Sequence, residues 1–266
     1  MVCRLIPSLL FALNLHAQTF NAAPFLGMGN TGLGQTAVYS ISNNPTGIAS
    51  LDEVQVAAAY QYHFLSSEIR TQAVYFAMPL SETHTLALGA NNHGLQGVSS
   101  LLTLRGAYAR CFGQSFSAGI SVNYHRYYVK NYDSDHTVSL DLGFQYAIDE
   151  RLILGALARN VSRASYRDDV LQYVPTEYGM GFCYTLVEGL RIASDVYYDP
   201  HTKFDYRGGI EYGIDSRIFL RGGAASHPLQ YFAGAGIVWK NIRADMASSF
   251  HPRLGTSPQL ALAYGF

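Results

Sequence analysis

Residues 137–147 read T-V-S-L-D-L-G-F-Q-Y-A. Val138, Leu140, Leu142, Phe144 and Tyr146 fall on one side of an extended chain; Thr137, Ser139, Asp141, Gly143 and Gln145 fall on the other. Successive side chains of a strand point to opposite faces, so strict alternation predicts a strand with one apolar and one polar face. A strand of a soluble sandwich alternates too. What decides is recurrence, because the same unit repeats from about Val54 to Phe266, with Leu, Val, Tyr and Phe on one face and Gly, Ser, Asn and charges on the other. The expected fold is all-β: a fourteen-stranded antiparallel transmembrane barrel with its polar faces turned inward.

The expected strands span 54–64, 70–79, 85–92, 101–111, 115–127, 137–147, 152–160, 177–186, 190–199, 204–212, 218–225, 230–239, 242–250 and 258–266. Their connections sort by parity. One set is tight, as at Glu82, Gly113, Asp149, Glu188, Asp215 and Lys240. The other is longer and more polar, including 92–100, 128–136, 161–176 and 251–257. Short periplasmic turns and longer external loops are the habit of outer-membrane barrels, and a soluble sandwich has no reason to sort its loops in this way. The chain closes on L-A-L-A-Y-G-F, alternating to its last residue. Phe266, in frame with Leu260, Leu262 and Tyr264, resembles the C-terminal insertion signal of bacterial outer-membrane proteins.

Composition agrees with this reading. Charged residues are 14% of the 266, aromatics 13% with 20 Tyr, and mean hydropathy is +0.04. A helical membrane protein would carry apolar runs of roughly 18 residues or more, and beyond the N-terminus this chain has none. A net charge of -1 gives no argument for nucleic acid. Residues 1–17, with Arg4 before a short apolar run, read as a secretory signal. Cys111 and Cys183 then remain, on the fourth and eighth expected strands and too far apart to pair.

Residues 18–53 do not alternate. They are rich in Gly and small residues, and Pro45 suits the first position of a helical turn. Fourteen strands enclose a real cavity, and this segment is expected to plug it, leaving residues 54–266 as the barrel. Parity places Ser117, Ser121, Asn123, His125, Asp141 and Gln145 in the lumen. Five arginines (Arg105, Arg191, Arg207, Arg221, Arg243) and five carboxylates (Asp141, Asp195, Asp205, Glu211, Asp245) are assigned there as well. Charges so balanced predict ion-pair ladders bracing the wall rather than a pore selective for one sign.

The run from Gly27 to Gly32 matches G-x-G-x-x-G but lacks the preceding strand and following helix of a dinucleotide site. The nine histidines show no metal-ligand spacing. No Ser or Thr nucleophile stands beside a base and its orienter, so neither an enzyme nor a cofactor is expected.

G-M-G-N-T-G-L-G followed by S-N-N-P-T-G-I-A and then the first strand resembles the N-termini of FadL-like outer-membrane proteins. Closest is the Bacteroidota branch that includes PorV and PorQ. The positions carrying the likeness are Gly27, Gly29, Gly32, Asn44 and Pro45. The resemblance implies a bacterial outer-membrane barrel in contact with membrane lipid, non-catalytic, and serving as an accessory subunit of a larger secretion (type IX-like) or assembly complex. Tyr132, Tyr166 and Tyr173, on the longer loops, are the candidate partner anchors. The alternative it implies is a passive transporter of a small hydrophobic solute. Such a solute would require a continuous apolar pocket of Phe25, Leu26, Met28 and Val38 with Phe219, whereas the preferred reading is that these residues pack the plug against the wall. The topology has a direct test. A cysteine introduced between residues 161 and 176 is expected to react with an impermeant maleimide on intact cells, and one between 186 and 189 is not. The reverse pattern would invert the barrel.

Overall fold

The computed structural model describes residues 20–132, 134–167, 173–200 and 204–266. The expected signal, residues 1–17, lies outside them. Fourteen strands follow in order: β1 Gln55–Tyr62, β2 Ile69–Ser81, β3 His84–Leu95, β4 Ser99–Phe112, β5 Phe116–Val129, β6 Asp135–Ala147, β7 Leu152–Arg159, β8 Glu177–Val187, β9 Leu190–Tyr198, β10 Asp205–Gly213, β11 Ile218–Ser226, β12 Leu229–Trp239, β13 Ile242–His251 and β14 Gly255–Gly265. Each pairs antiparallel with its sequence neighbours, and β1 pairs with β14 from Gln55↔Gly265 to Gln61↔Gln259, closing the barrel. Closure removes the unpaired edges that an open sheet would leave.

In β6 the polar positions Ser139, Asp141 and Gln145 are buried, while Val138, Phe144 and Tyr146 are 51%, 41% and 50% exposed. Apolar side chains outside and polar ones inside invert the order of a water-soluble domain. The same holds round the barrel, with Val74, Leu88, Met180, Leu220, Ile237, Met246 and Leu260 all exposed on the outer face.

The start of β1, the end of β14 and the tight turns share one end, here the turn end; the remaining connections form the loop end. The expected contrast in length is weaker than the sequence suggested. Residues 92–100 and 251–257 shrink to 96–98 and 252–254, because the ladders run on to Leu95↔Ser99 and His251↔Gly255. Side-chain alternation lapses there, but backbone pairing does not depend on it. The long loop is the one between β7 and β8.

Residues 20–49 fill the lumen, as one short helix α1 (Ala23–Gly27) and two 3₁₀ turns, Val38–Ser42 and Pro45–Ile48, joined by irregular chain, and residues 50–53 lead out to β1. Pro24 and Pro45 open their helical turns, and Asn44 caps the second 3₁₀ turn, its side-chain oxygen accepting from the Thr46 amide. Nearly every residue from Phe20 to Ala49 is buried.

Space for this segment comes from glycines at inward positions of the wall. A Cβ at Gly143 would meet the Asn44 side chain, at Gly155 the Leu33 carbonyl, at Gly209 the Met28 carbonyl, and at Gly223 the Gly29 amide. At Gly119 it would lie 2.7 Å from the Thr46 nitrogen. Gly29 itself requires glycine twice, through a φ of +74° and the adjacent Gly208 carbonyl. Gly155→Val is therefore expected to push the plug from its seat, lowering stability by about 1–3 kcal/mol and raising single-channel conductance in planar bilayers. Gly106→Val, where a Cβ would find its nearest neighbour at 3.9 Å, is the control and should do neither. A Gly155→Val barrel that stays closed and melts like the parent would contradict this packing.

Candidate functional site in the plugged lumen

Strand parity aims the lumenal side chains at the plug, and they bind its backbone. The Asp195 carboxylate on β9 accepts from the amides of Gly32 and Leu33 at 2.8 and 3.2 Å. The glycine-rich stretch that could be mistaken for a phosphate cradle is thus turned toward a carboxylate of its own chain. The Gln145 amide on β6 donates to the carbonyls of Leu33 and Gln35 at 2.8 and 3.2 Å, and Asn44 donates to the Leu33 carbonyl at 2.8 Å. Arg159 reaches the carbonyls of Ser42 and Asn43, Arg207 that of Asn30, and Gln259 that of Asn21. The Cys111 thiol donates to the Ala49 carbonyl at 3.4 Å. Cys183, four strands away, is free as well.

The ten charged lumenal candidates divide by place. Around β9–β13 they form a network: Glu211 pairs with Arg191 and, at 2.6 Å, with Arg221. Arg221 pairs with Asp245 at 2.8 Å, and Asp245 with Arg243 at 2.9 Å. Arg207 pairs with Asp205 at 2.7 Å and lies over the Tyr197 ring, 4.0 Å from its centroid. Asp205 also accepts from the His227 amide at 2.9 Å. On β4–β6 the partners are neutral. Arg105 donates to Asn91, Asp141 accepts from Asn123 at 2.9 Å, and His125 joins Thr103 and Ser139. The expected ladders therefore occupy one half of the wall and hydrogen-bonded amides and hydroxyls the other.

Among the plug candidates, Gly27 abuts Arg221 and Gly234, Gly32 abuts Asn43, and Asn44 and Pro45 sit against Gly143. Phe25, Leu26 and Val38 join Phe20, Tyr39, Ile41 and Ile48 in a core shared with Tyr75 and Phe232 of the wall. Tyr39 and Tyr75 meet edge to face at 5.5 Å. Met28 is buried, but Phe219 faces the Arg221 and Arg243 guanidiniums instead. Four of the five residues thus pack the plug as expected, and Phe219 is a neighbour of charges.

The loop tyrosines also divide. Tyr132 is 77% exposed, but Tyr166 is 6% exposed, its ring 6.2 Å from that of Tyr127. Tyr166, expected on an exposed loop, is instead buried, and the described residues of its loop are tied to β6. Asp141 accepts from the Asn160 amide, and the Asn160 side chain binds Ala164, Val174 and Thr176. The Arg167 amide donates to Asp135 at 2.7 Å. Burial, with the Asp199 carboxylate beside it, pushes the Tyr173 phenol up to about 12, so it stays a neutral donor to Asp199. Phe266 follows β14, its amide donating to the Val54 carbonyl at 3.0 Å and its ring exposed.

Sequence reading missed Arg159, Tyr197, Gln259, Asn160 and the wall glycines. The signal was present for most of them, since all but Asn160 hold inward positions on strands already recognised. Among the described residues no group of three or more His, Cys, Asp or Glu is placed to hold a metal ion.

No family model and no curated protein matches the sequence. The fold does have solved counterparts. A FadL homologue from Pseudomonas aeruginosa superposes with a TM-score of 0.67 at 11% identity, covering 92% of this chain and 98% of that one. The Pseudomonas putida toluene transporter TodX gives 0.67 at 12%, covering 93% and 99%. The deltaS2 mutant of TodX, a monoaromatic hydrocarbon channel, gives 0.72 at 12%, covering 93% and 98%. At such identities the likeness is one of fold.

The grip of Asp195 on the plug can be measured. Asp195→Ala would leave two buried amides unmatched, each costing about 1–3 kcal/mol. Hydrogen exchange at Gly32 and Leu33 should accelerate while the β9 amides stay protected. Unchanged protection at both amides would mean that the carboxylate does not hold them.

Proposed function

We propose that this chain sits in a bacterial outer membrane and offers small hydrophobic solutes a passive route across it. The observation that carries the reading is the apolar core inside a FadL-like fold, where Phe25, Val38, Tyr39, Ile41 and Ile48 of the plug meet Tyr75 and Phe232 of the wall. An apolar solute gains by leaving water for such a surface, whereas a hydrated ion would have to shed its shell. The outer face, apolar round the barrel, suits lipid on every side. The plug is held by hydrogen bonds and packing, so a solute passes when part of it shifts from the wall.

The accessory-subunit reading, with its finer resemblance to PorV and PorQ, has less support. One of its three tyrosine anchors, Tyr166, is buried. The counterparts in fold include a toluene transporter and a monoaromatic hydrocarbon channel, which favours a solute over a protein partner.

Uptake of labelled toluene by cells expressing the chain should exceed that of a deletion strain several-fold, with little ionic conductance in planar bilayers. Crosslinking the plug to the wall, through a cysteine replacing Ala49 beside Cys111 (the Cys111 thiol lies 3.4 Å from the Ala49 carbonyl oxygen), should abolish the gain until the bond is reduced. Equal uptake with and without the chain would sink the proposal.

A further inference from the structure

The outer face carries three charged strand residues among those described, all arginines: Arg70, Arg110 and Arg126. Arg110 stands at the turn end over the Phe112 ring, 5.0 Å from its centroid. Arg70 and Arg126 stand near the loop ends of β2 and β5, and neither belongs to an ion pair among the described residues. The acidic residues of β2–β6 are Asp135 and Asp141, and both face inward.

The register builds a polar patch round these two arginines. One row across the strands runs Tyr60↔Gln72↔Asn92↔Leu102↔Arg126↔His136, and the next runs Tyr62↔Arg70↔Gly94↔Ser100↔Tyr128. A recess of about 330 Å³ opens in it, lined by Asn92, Ser100, Leu102, Arg126 and Tyr128. Asn92 and Leu102 also line a second recess of about 460 Å³, which continues over Ala58, Val74, Ala90, Leu260 and Leu262. A basic, hydrogen-bonding pocket thus leads into an apolar groove floored by alanines.

We propose that this face binds one phosphorylated lipid of the leaflet at the loop end. Its phosphate is held by Arg126 and Arg70 with Asn92 and Ser100, and an acyl chain lies along Ala58, Ala90 and Leu262. Guanidinium forks match phosphate oxygens, and the absence of an outward carboxylate on β2–β6 leaves both cations available to an anion. The unbroken passage from polar pocket to apolar groove selects an amphiphile over a free anion. The inference rests on the outer face being lipid-bound, which is part of the reading above, but not on solute passage.

Native mass spectrometry of the full barrel in mild detergent tests it with phosphatidic acid, diacylglycerol of the same chains, and inorganic phosphate. Phosphatidic acid should be retained at one per barrel, diacylglycerol should not, and millimolar inorganic phosphate should fail to displace the lipid. Retention should fall at least tenfold in the Arg70→Gln/Arg126→Gln double variant and stay unchanged in Arg110→Gln. Toluene uptake by the double variant separates the two proposals, since a lost lipid with normal uptake supports this site alone. Equal retention by the double variant overturns it. So does equal binding of diacylglycerol, displacement by phosphate alone, or loss of a co-purifying acidic protein with lipid retention unchanged.

Discussion

Irregular backbone inside a closed barrel must find hydrogen-bond partners there, because the wall's own amides and carbonyls are spent on the strands. The plug meets this demand with side chains from the wall. Asp195 takes two amides, Gln145 two carbonyls, and Arg159, Arg207 and Gln259 supply the rest of this set. These bonds form at such close range because the wall facing them is glycine at Gly119, Gly143, Gly155, Gly209 and Gly223. Neither feature suffices alone. A roomy wall without donors would strand the plug's polar groups, and a polar wall with ordinary side chains would leave no space for the plug.

The lumenal charges follow from the same constraint. A buried ion pair gains little over an apolar one, and it becomes costly when one partner is missing. Arg221 and Asp245 are completely buried, so each depends on the other, and Glu211 binds Arg221 from the opposite side. The network braces neighbouring strands where α1 packs against β12 and β13, next to Gly27 and Gly234. On the other half of the wall, Asn123, Thr103 and Ser139 replace charges, and the 3₁₀ turn Pro45–Ile48 packs against β4–β6. Apolar contact between Tyr39, Ile41, Tyr75 and their neighbours joins the halves.

Much of this was legible in the sequence. Period-two alternation names both the strand and its inward face, so the fourteen strands agree with the structure to within a few residues, with the largest shifts at Leu95 and Gly255. Inward parity likewise places Asp195, Arg221 and Asp245 without any knowledge of their partners, because a side chain's face depends only on its own strand. The segment before β1 lacks alternation, and its small residues correctly mark it as filling rather than wall.

Tertiary structure decided what parity cannot carry, namely which inward residues meet and which loop turns back. Gly143 lies within the stretch that names the fold, yet nothing local distinguishes a glycine that admits Asn44 from one that simply breaks a polar row. Phe25, Leu26 and Val38 share one core, whereas Phe219 stands beside the arginines rather than with them. Tyr166 sits in a polar loop that reads as surface, and it is buried because Asp135 and Asp141 reach across from β6 to hold that loop's backbone. Each of these contacts joins residues far apart in the chain. Alternation is a property of one strand, whereas a contact between plug, wall and loop exists only once the barrel has closed.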